Sequence, residues 1–238
     1  MDSLKDYIND IRIFLYGGMR SLPLTIAGTL LVLGLFTANY AMLFFLVGYL
    51  LLVPLLSGFL GWLLKFVFDG TDYFQGISSD VCGVTIPYST LNSIKPTTKE
   101  TTVLSPWLAM VSFFFGYIGY NAKELYTYET TSSDFMVTTD NSPDIENKTT
   151  TRRTQAIIGL CMLVIVVIAT LYYRNKTGCE SLGSFILTIG MFGSLGWTWY
   201  GFLSKVGQNR LSDMFGIANR LISPSAMKNG PIACIPQP

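Results

Sequence analysis

Residues 21–68 read SLPLTIAGTLLVLGLFTANYAMLFFLVGYLLLVPLLSGFLGWLLKFVF, a run in which Lys65 is the single charged residue. As one helix such a run would be roughly 72 Å long, which is enough for two crossings of a ~30 Å hydrocarbon core. Thr37-Ala38-Asn39-Tyr40 interrupts it with turn-forming residues. The reading is therefore two membrane helices, near 22–38 and 41–67, joined by a tight turn. Pro54 lies inside the second. Its missing N–H frees a backbone carbonyl, so a kink is expected there.

The rest of the chain repeats this pattern with more polar interruptions. Residues 2–20 place Leu4, Tyr7, Ile8, Ile11, Phe14 and Leu15 on one helical stripe, with charged groups largely opposite. This predicts an amphipathic helix lying on the membrane surface, broken at Gly17-Gly18. Residues 69–103 carry Cys82, Pro87 and Pro96 and lack helical periodicity, as expected of a loop or small extramembrane cap. A third span is expected from about Pro106 to Asn121, continuing as helix towards Tyr128. Residues 129–154 are mostly Thr, Ser, Asp and Asn, with too little apolar surface to offset the entropy of ordering, so a mobile loop is expected. Gln155–Tyr173 is the clearest span, flanked by Arg152-Arg153 and by Tyr172, Tyr173 and Arg174. A fifth covers about Leu182 to Leu203, with Trp197, Trp199, Tyr200 and Phe202 suited to the headgroup boundary. An amphipathic helix near 209–222 and a Pro-rich tail follow. The fold class is thus an all-α polytopic bundle of about five transmembrane helices, four or six being the alternatives. Lys and Arg divide equally between the two faces of a five-span topology, so the positive-inside rule favours neither orientation.

Composition narrows the chemistry. Half of the residues are hydrophobic and only 13% are charged, with 16 Lys plus Arg against 15 Asp plus Glu, so there is no basic footprint for nucleic acid. Histidine is absent, which removes the commonest general base and metal ligand. The four cysteines are not spaced as a metal or redox motif. No catalytic, cofactor or metal site is expected, and the chain is read as a non-enzyme. The first residues lack a basic cleavable signal and the last lack a prenylation box, so the first span is expected to direct insertion without a lipid anchor.

Several residues stand out within this frame. Gly190, Gly193, Ser194 and Gly196 line one or two faces of the fifth span and suit close helix packing, within the chain or in a homo- or hetero-oligomer. Transporters generally hold ionisable groups at mid-membrane, yet no Asp, Glu or Arg falls inside a predicted span, and Lys65 can snorkel. Cys82 and Cys179 fall on the same side of a five-span topology, which allows a disulfide; Cys161 is expected to pack within the membrane. Asn147 and Asn175 both match the glycosylation acceptor pattern, but they flank one span and so at most one faces a lumen. Leu211, Phe215 and Leu221 recur at helical spacing, and Ile232 and Ile235 punctuate the tail, which together suggest an element that docks on a partner.

Trp107-Leu-Ala-Met-Val-Ser-Phe-Phe-Phe-Gly-Tyr117, Gly178-Cys179-Glu180, Gly196-Trp-Thr-Trp-Tyr200 and Arg210-Leu-Ser-Asp-Met-Phe-Gly-Ile-Ala-Asn-Arg-Leu221, with Ser223-Pro-Ser-Ala226, Asn229-Gly-Pro-Ile-Ala-Cys234 and Pro236-Gln-Pro238, form a recognisable set. Across residues 80–238 the chain resembles a family of multi-pass membrane proteins of nucleocytoplasmic large DNA viruses, including those infecting algae. The resemblance implies a location, the membrane beneath a viral capsid, derived from host membrane during assembly, with other viral membrane or capsid proteins as partners; it carries no catalytic residues. The expected function is a structural component that anchors or organises that membrane. A small channel or transporter with a pore near Pro54, and an assembly factor left out of the particle, are the alternatives.

Overall fold

The computed structural model describes residues 14, 17–67, 76–77, 101–127, 142–177, 180–207 and 211–214. Helix α1 (Leu22–Phe36) has Pro23 in its first turn, where the absent N–H costs no hydrogen bond. Gly17-Gly18, expected to break the chain, is helical instead: residues 17–20 lead into α1 and Ser21 N donates to Gly17 O at 3.1 Å. The helix stops in three residues. Thr37 Oγ1 donates to Leu33 O at 2.6 Å, Ala38 takes a left-handed φ of 51°, and Asn39 N donates back to Gly34 O at 3.0 Å. The side chain of Asn39 then caps the next helix by accepting from Ala41 N at 3.0 Å.

Helix α2 (Tyr40–Val67) is α-helical over Tyr40–Val47, π-helical over Gly48–Leu52 and α-helical again over Val53–Val67. The disturbance expected at Pro54 therefore takes the form of a π turn immediately before it. Val53 N reaches back five residues to Gly48 O, a wider register that accommodates the donor missing at Pro54. The turn also serves packing. Phe45, Tyr49, Val53 and Ser57 recur every fourth residue, a spacing that drifts around a pure α-helix; the wider π turn corrects the drift and all four are buried.

Residues Gly76–Ile77 (β1) and Thr101–Thr102 (β2) pair antiparallel, with Gly76 opposite Thr102 and Ile77 opposite Thr101. Elsewhere the described residues form helices and their connections. Helix α3 (Pro106–Thr127) opens with Ser105 as its cap and Pro106 in the first position, Ser105 Oγ accepting from Leu108 N at 3.3 Å. Every residue from Trp107 to Phe113 is buried, as only a helix enclosed on all sides allows. It is the central element and packs against α1, α2, α4 and α5.

Helix α4 (Ser142–Thr177) begins within the stretch 129–154 expected to be a loop. Once Pro143 supplies a first-turn residue and the apolar run from Ala156 follows, the polar residues between them continue one helix; residues 128–141 lie outside the described set. Helix α5 (Leu182–Gly207) buries Ser184, Thr188, Phe192, Gly196, Tyr200 and Leu203 against α3. The aromatic cluster expected at the headgroup boundary divides, since Tyr200 is buried while Trp197 and Phe202 are exposed.

Two helices, Tyr40–Val67 and Ala156–Lys176, are long and apolar enough to cross a membrane by length and composition. The outward surface is strongly apolar: Phe36 is 86% exposed, Phe66 84%, Leu55 71% and Trp62 69%, and on α4 Ile158, Met162, Ile165 and Ile168 also face outward. The interior is an apolar core around Phe45, Tyr49, Phe113, Tyr117 and Phe192, and it also encloses the polar residues Ser57, Ser105, Ser112, Asn121, Thr170, Arg174, Ser184, Thr188, Ser212 and Asp213.

Candidate functional site

Three features of this bundle carry the arrangement: a glycine seam at its centre and a polar junction at each end. The seam joins α3 to α5. A Cβ on Gly116 would overlap the Gly193 carbonyl, and one on Gly196 would overlap the carbonyl of Phe113, so the two backbones touch where only hydrogen fits. Gly193 and Gly196 thus lie in the seam, whereas nothing is within 4 Å of a Cβ on Gly190. Ser194 is exposed and its hydroxyl donates to Met191 O of its own helix. One face of the small-residue stripe is used inside the chain and the other looks outward. Gly116 was not singled out by sequence reasoning because its significance depends on which helix α5 meets.

The first junction gathers residue 20, the entrance to α3, the last turn of α4 and the entrance to α5. Arg174 is 2% exposed and Glu180 4%, and Arg174 Nη2 lies 2.8 Å from Glu180 Oε1. Arg174 Nε donates to the same oxygen at 3.1 Å, and Nη2 also donates to Ser105 Oγ at 2.9 Å. The guanidinium sits 4.4 Å from the Trp107 ring centroid, and Trp107 Nε1 donates to Arg20 O. Ser184 Oγ donates to Val103 O, closing the group. The planar fork of arginine makes this possible: one side chain stacks on an indole, pairs with a carboxylate and reaches a hydroxyl. Its position in the last turn of α4 also complements the helix dipole. Glu180 Oε2 is buried without a hydrogen-bond partner. The sequence signal was an Arg at the end of an apolar run and a Glu six residues later across a glycine-containing link. Arg174 was expected only to close the span, and nothing local to the chain pairs it with Glu180.

The second junction lies at the opposite end. Tyr117 Oη donates to Ser212 O at 2.7 Å, Asn39 Nδ2 donates to Met214 O at 3.1 Å, and Tyr200 Oη lies 3.3 Å from Asn121 Oδ1. Ser212, Asp213 and Met214 are buried as a turn. The expected amphipathic helix near 209–222 is therefore absent at 211–214. Carbonyls that a helix would use internally are drawn instead to Tyr117 and Asn39. Leu211 lies against Gly207; Phe215, Leu221, Ile232 and Ile235 fall outside the described residues.

The remaining expectations fall as follows. Cys82 and Cys179 lie outside the described residues, and Cys161, expected to pack, is an exposed free cysteine on α4. Asn147 and Asn175 are both on α4, the latter exposed. Among the described residues no group of three His, Cys, Asp or Glu side chains is placed to hold a metal ion.

Between α3, α4 and α5 runs an apolar slit of about 230 Å³, floored by α3 and walled by α4 and α5. The axis of the bundle is filled by Phe45, Tyr49, Phe113, Tyr117 and Tyr200, with Phe45 to Tyr117 at 4.8 Å and Tyr117 to Tyr200 at 5.1 Å between ring centroids. Compared with known protein families, with curated proteins and with solved structures, the chain matches none.

Proposed function

We propose that this chain is a non-catalytic scaffold of a lipid membrane, with α1 to α5 each crossing the bilayer, and that its membrane is the internal one beneath the capsid of a large DNA virus. The observation that carries the membrane reading is the outward surface: large apolar side chains cover α1, α2, α4 and part of α5 on the outside, while several hydroxyls, an amide and an ion pair are turned inward beside an apolar core. In water so large an apolar surface is a liability, but in lipid it is the required exterior. Helices α3 and α5 match part of their polar surface to one another, Tyr200 Oη lying 3.3 Å from Asn121 Oδ1 in a buried position. With the helical residues 17–20, α1 reaches the ~20 residues a span needs.

A scaffold is favoured over a channel by the aromatic packing between α2, α3 and α5, where Phe45, Tyr117 and Tyr200 lie against one another and are buried. The viral location rests on the resemblance. Three of its strings meet in space: Trp107–Tyr117 and Gly196–Tyr200 share the glycine seam, and Glu180 pairs at the end of it. Its partners are then other membrane or capsid proteins. Quantitative mass spectrometry of purified particles tests the assignment, with high copy number expected; absence would instead make the chain an assembly factor. Cysteine-accessibility mapping tests the five crossings, and reagent access to a mid-helix position of α3 or α5 from the aqueous phase would refute them.

A further inference from the structure

The slit between α4 and α5 is apolar and follows α3 over about two turns. Its floor runs from Leu108 to Gly116 on α3, and its walls include Val167 and Leu171 on α4 and Ile189 and Gly193 on α5. Eight residues of helix correspond to roughly 12 Å along the axis. One turn beyond Leu108 and Leu171, the junction of Ser105, Arg174 and Glu180 draws the ends of α4 and α5 together. The ion pair thus stands at one end of the slit.

We propose that this slit holds one acyl chain of a bilayer phospholipid. The inference rests on the membrane reading above. Water is a poor occupant: the lining offers only the hydroxyls of Ser112 and Thr170, and that of Thr170 already donates to Val166 O at 2.7 Å. Apolar cavities of about 150 Å³ stay dry and take up hydrocarbon, and this one is larger. Its long axis follows the helices, which is the direction of lipid tails in a bilayer. Ile168, next in sequence to the lining residue Val167 on α4, is 60% exposed, so apolar outer surface lies beside the slit. A side chain from a second copy would enter across the axis and fill only part of the length.

The test is photolabelling of the full chain in phosphatidylcholine vesicles that contain phosphatidylcholine with a diazirine on one acyl chain. Adducts are expected on Val167, Leu171 and Ile189 several-fold above those on the outward residues Ile158 and Ile165, surviving detergent washing. Gly193→Leu and Val167→Phe place side chains into the slit, and the former is tolerated because a Cβ there meets only Ser112 O at 3.9 Å. Each variant should abolish the slit adducts and leave the outward ones unchanged. Slit labelling no greater than outward labelling, labelling unaffected by either variant, or crosslinks from these positions to a second copy would each overturn the proposal. If Ile158 and Ile165 are also unlabelled, the membrane reading itself has failed; if only the slit is blank, that reading stands and the acyl site does not.

Discussion

Adding one methyl group to α5 should have opposite effects at two positions on the same helix. At Gly190 a Cβ meets nothing within 4 Å, so Gly190→Ala retains every contact and gains the helix preference of alanine over glycine, up to about 1 kcal/mol. At Gly196 the same Cβ overlaps the Phe113 carbonyl, which belongs to backbone and cannot rotate away. Restoring a C···O separation of about 3.3 Å requires the helices to part by roughly 1 Å. That shift loosens the packing around Phe113, Tyr117 and Tyr200, which are among the most deeply buried aromatics in the structure. Overpacking of a close-packed core costs about 1–3 kcal/mol, and a backbone obstacle places Gly196→Ala towards the upper end even after the helix preference is credited. Gly116→Ala, which meets the Gly193 carbonyl, should behave in the same way. Reversible unfolding in mixed micelles, followed by tryptophan fluorescence, measures all three variants against the parent. Equal effects at Gly190 and Gly196, or a stabilised Gly196→Ala, would show that α3 and α5 do not meet at this seam.

Other expectations follow from the two junctions and the first turn. Glu180→Gln removes the carboxylate charge that lies 2.8 Å from the buried Arg174 guanidinium and should cost up to about 3–5 kcal/mol, whereas Arg174→Met combined with Glu180→Leu should recover part of the loss; a double-mutant cycle by the same unfolding assay measures the coupling, and additive effects would remove the pair. Ala38→Gly should stabilise the chain by about 1 kcal/mol or less, since a left-handed φ of 51° is strained for alanine and open to glycine; a lower unfolding midpoint would contradict the turn. Asn39→Ala removes both the cap on α2 and the donor to Met214 O, costing about 1–2 kcal/mol, while Asn39→Asp retains the cap alone; limited proteolysis near residue 214 should accelerate in both, and protection equal to the parent would separate Asn39 from the C-terminal segment.

Much of the helical layout was legible along the chain because long apolar runs bounded by turn-forming residues carry their own helical signal. The turn at Thr37–Asn39, the long apolar α2 and the apolar half of α4 follow from local composition, and Pro54 could be marked as a disturbance from its own covalent structure. What a residue faces is not a local property. Gly193 and Gly196 differ from Gly190 only in what stands opposite, and Gly116 acquires its role from the same neighbour. Arg174 and Glu180 read as flanking charges until α3 supplies Trp107 and Ser105 to enclose them. Residues 211–214 have a helical pattern, yet their carbonyls are taken by Tyr117 and Asn39, more than ninety residues away in sequence. Sequence alone thus marked the long apolar helices; where a patterned segment such as 211–214 turns instead, and which polar groups are buried and with what partners, was decided by tertiary packing, because desolvation depends on everything that closes around a group.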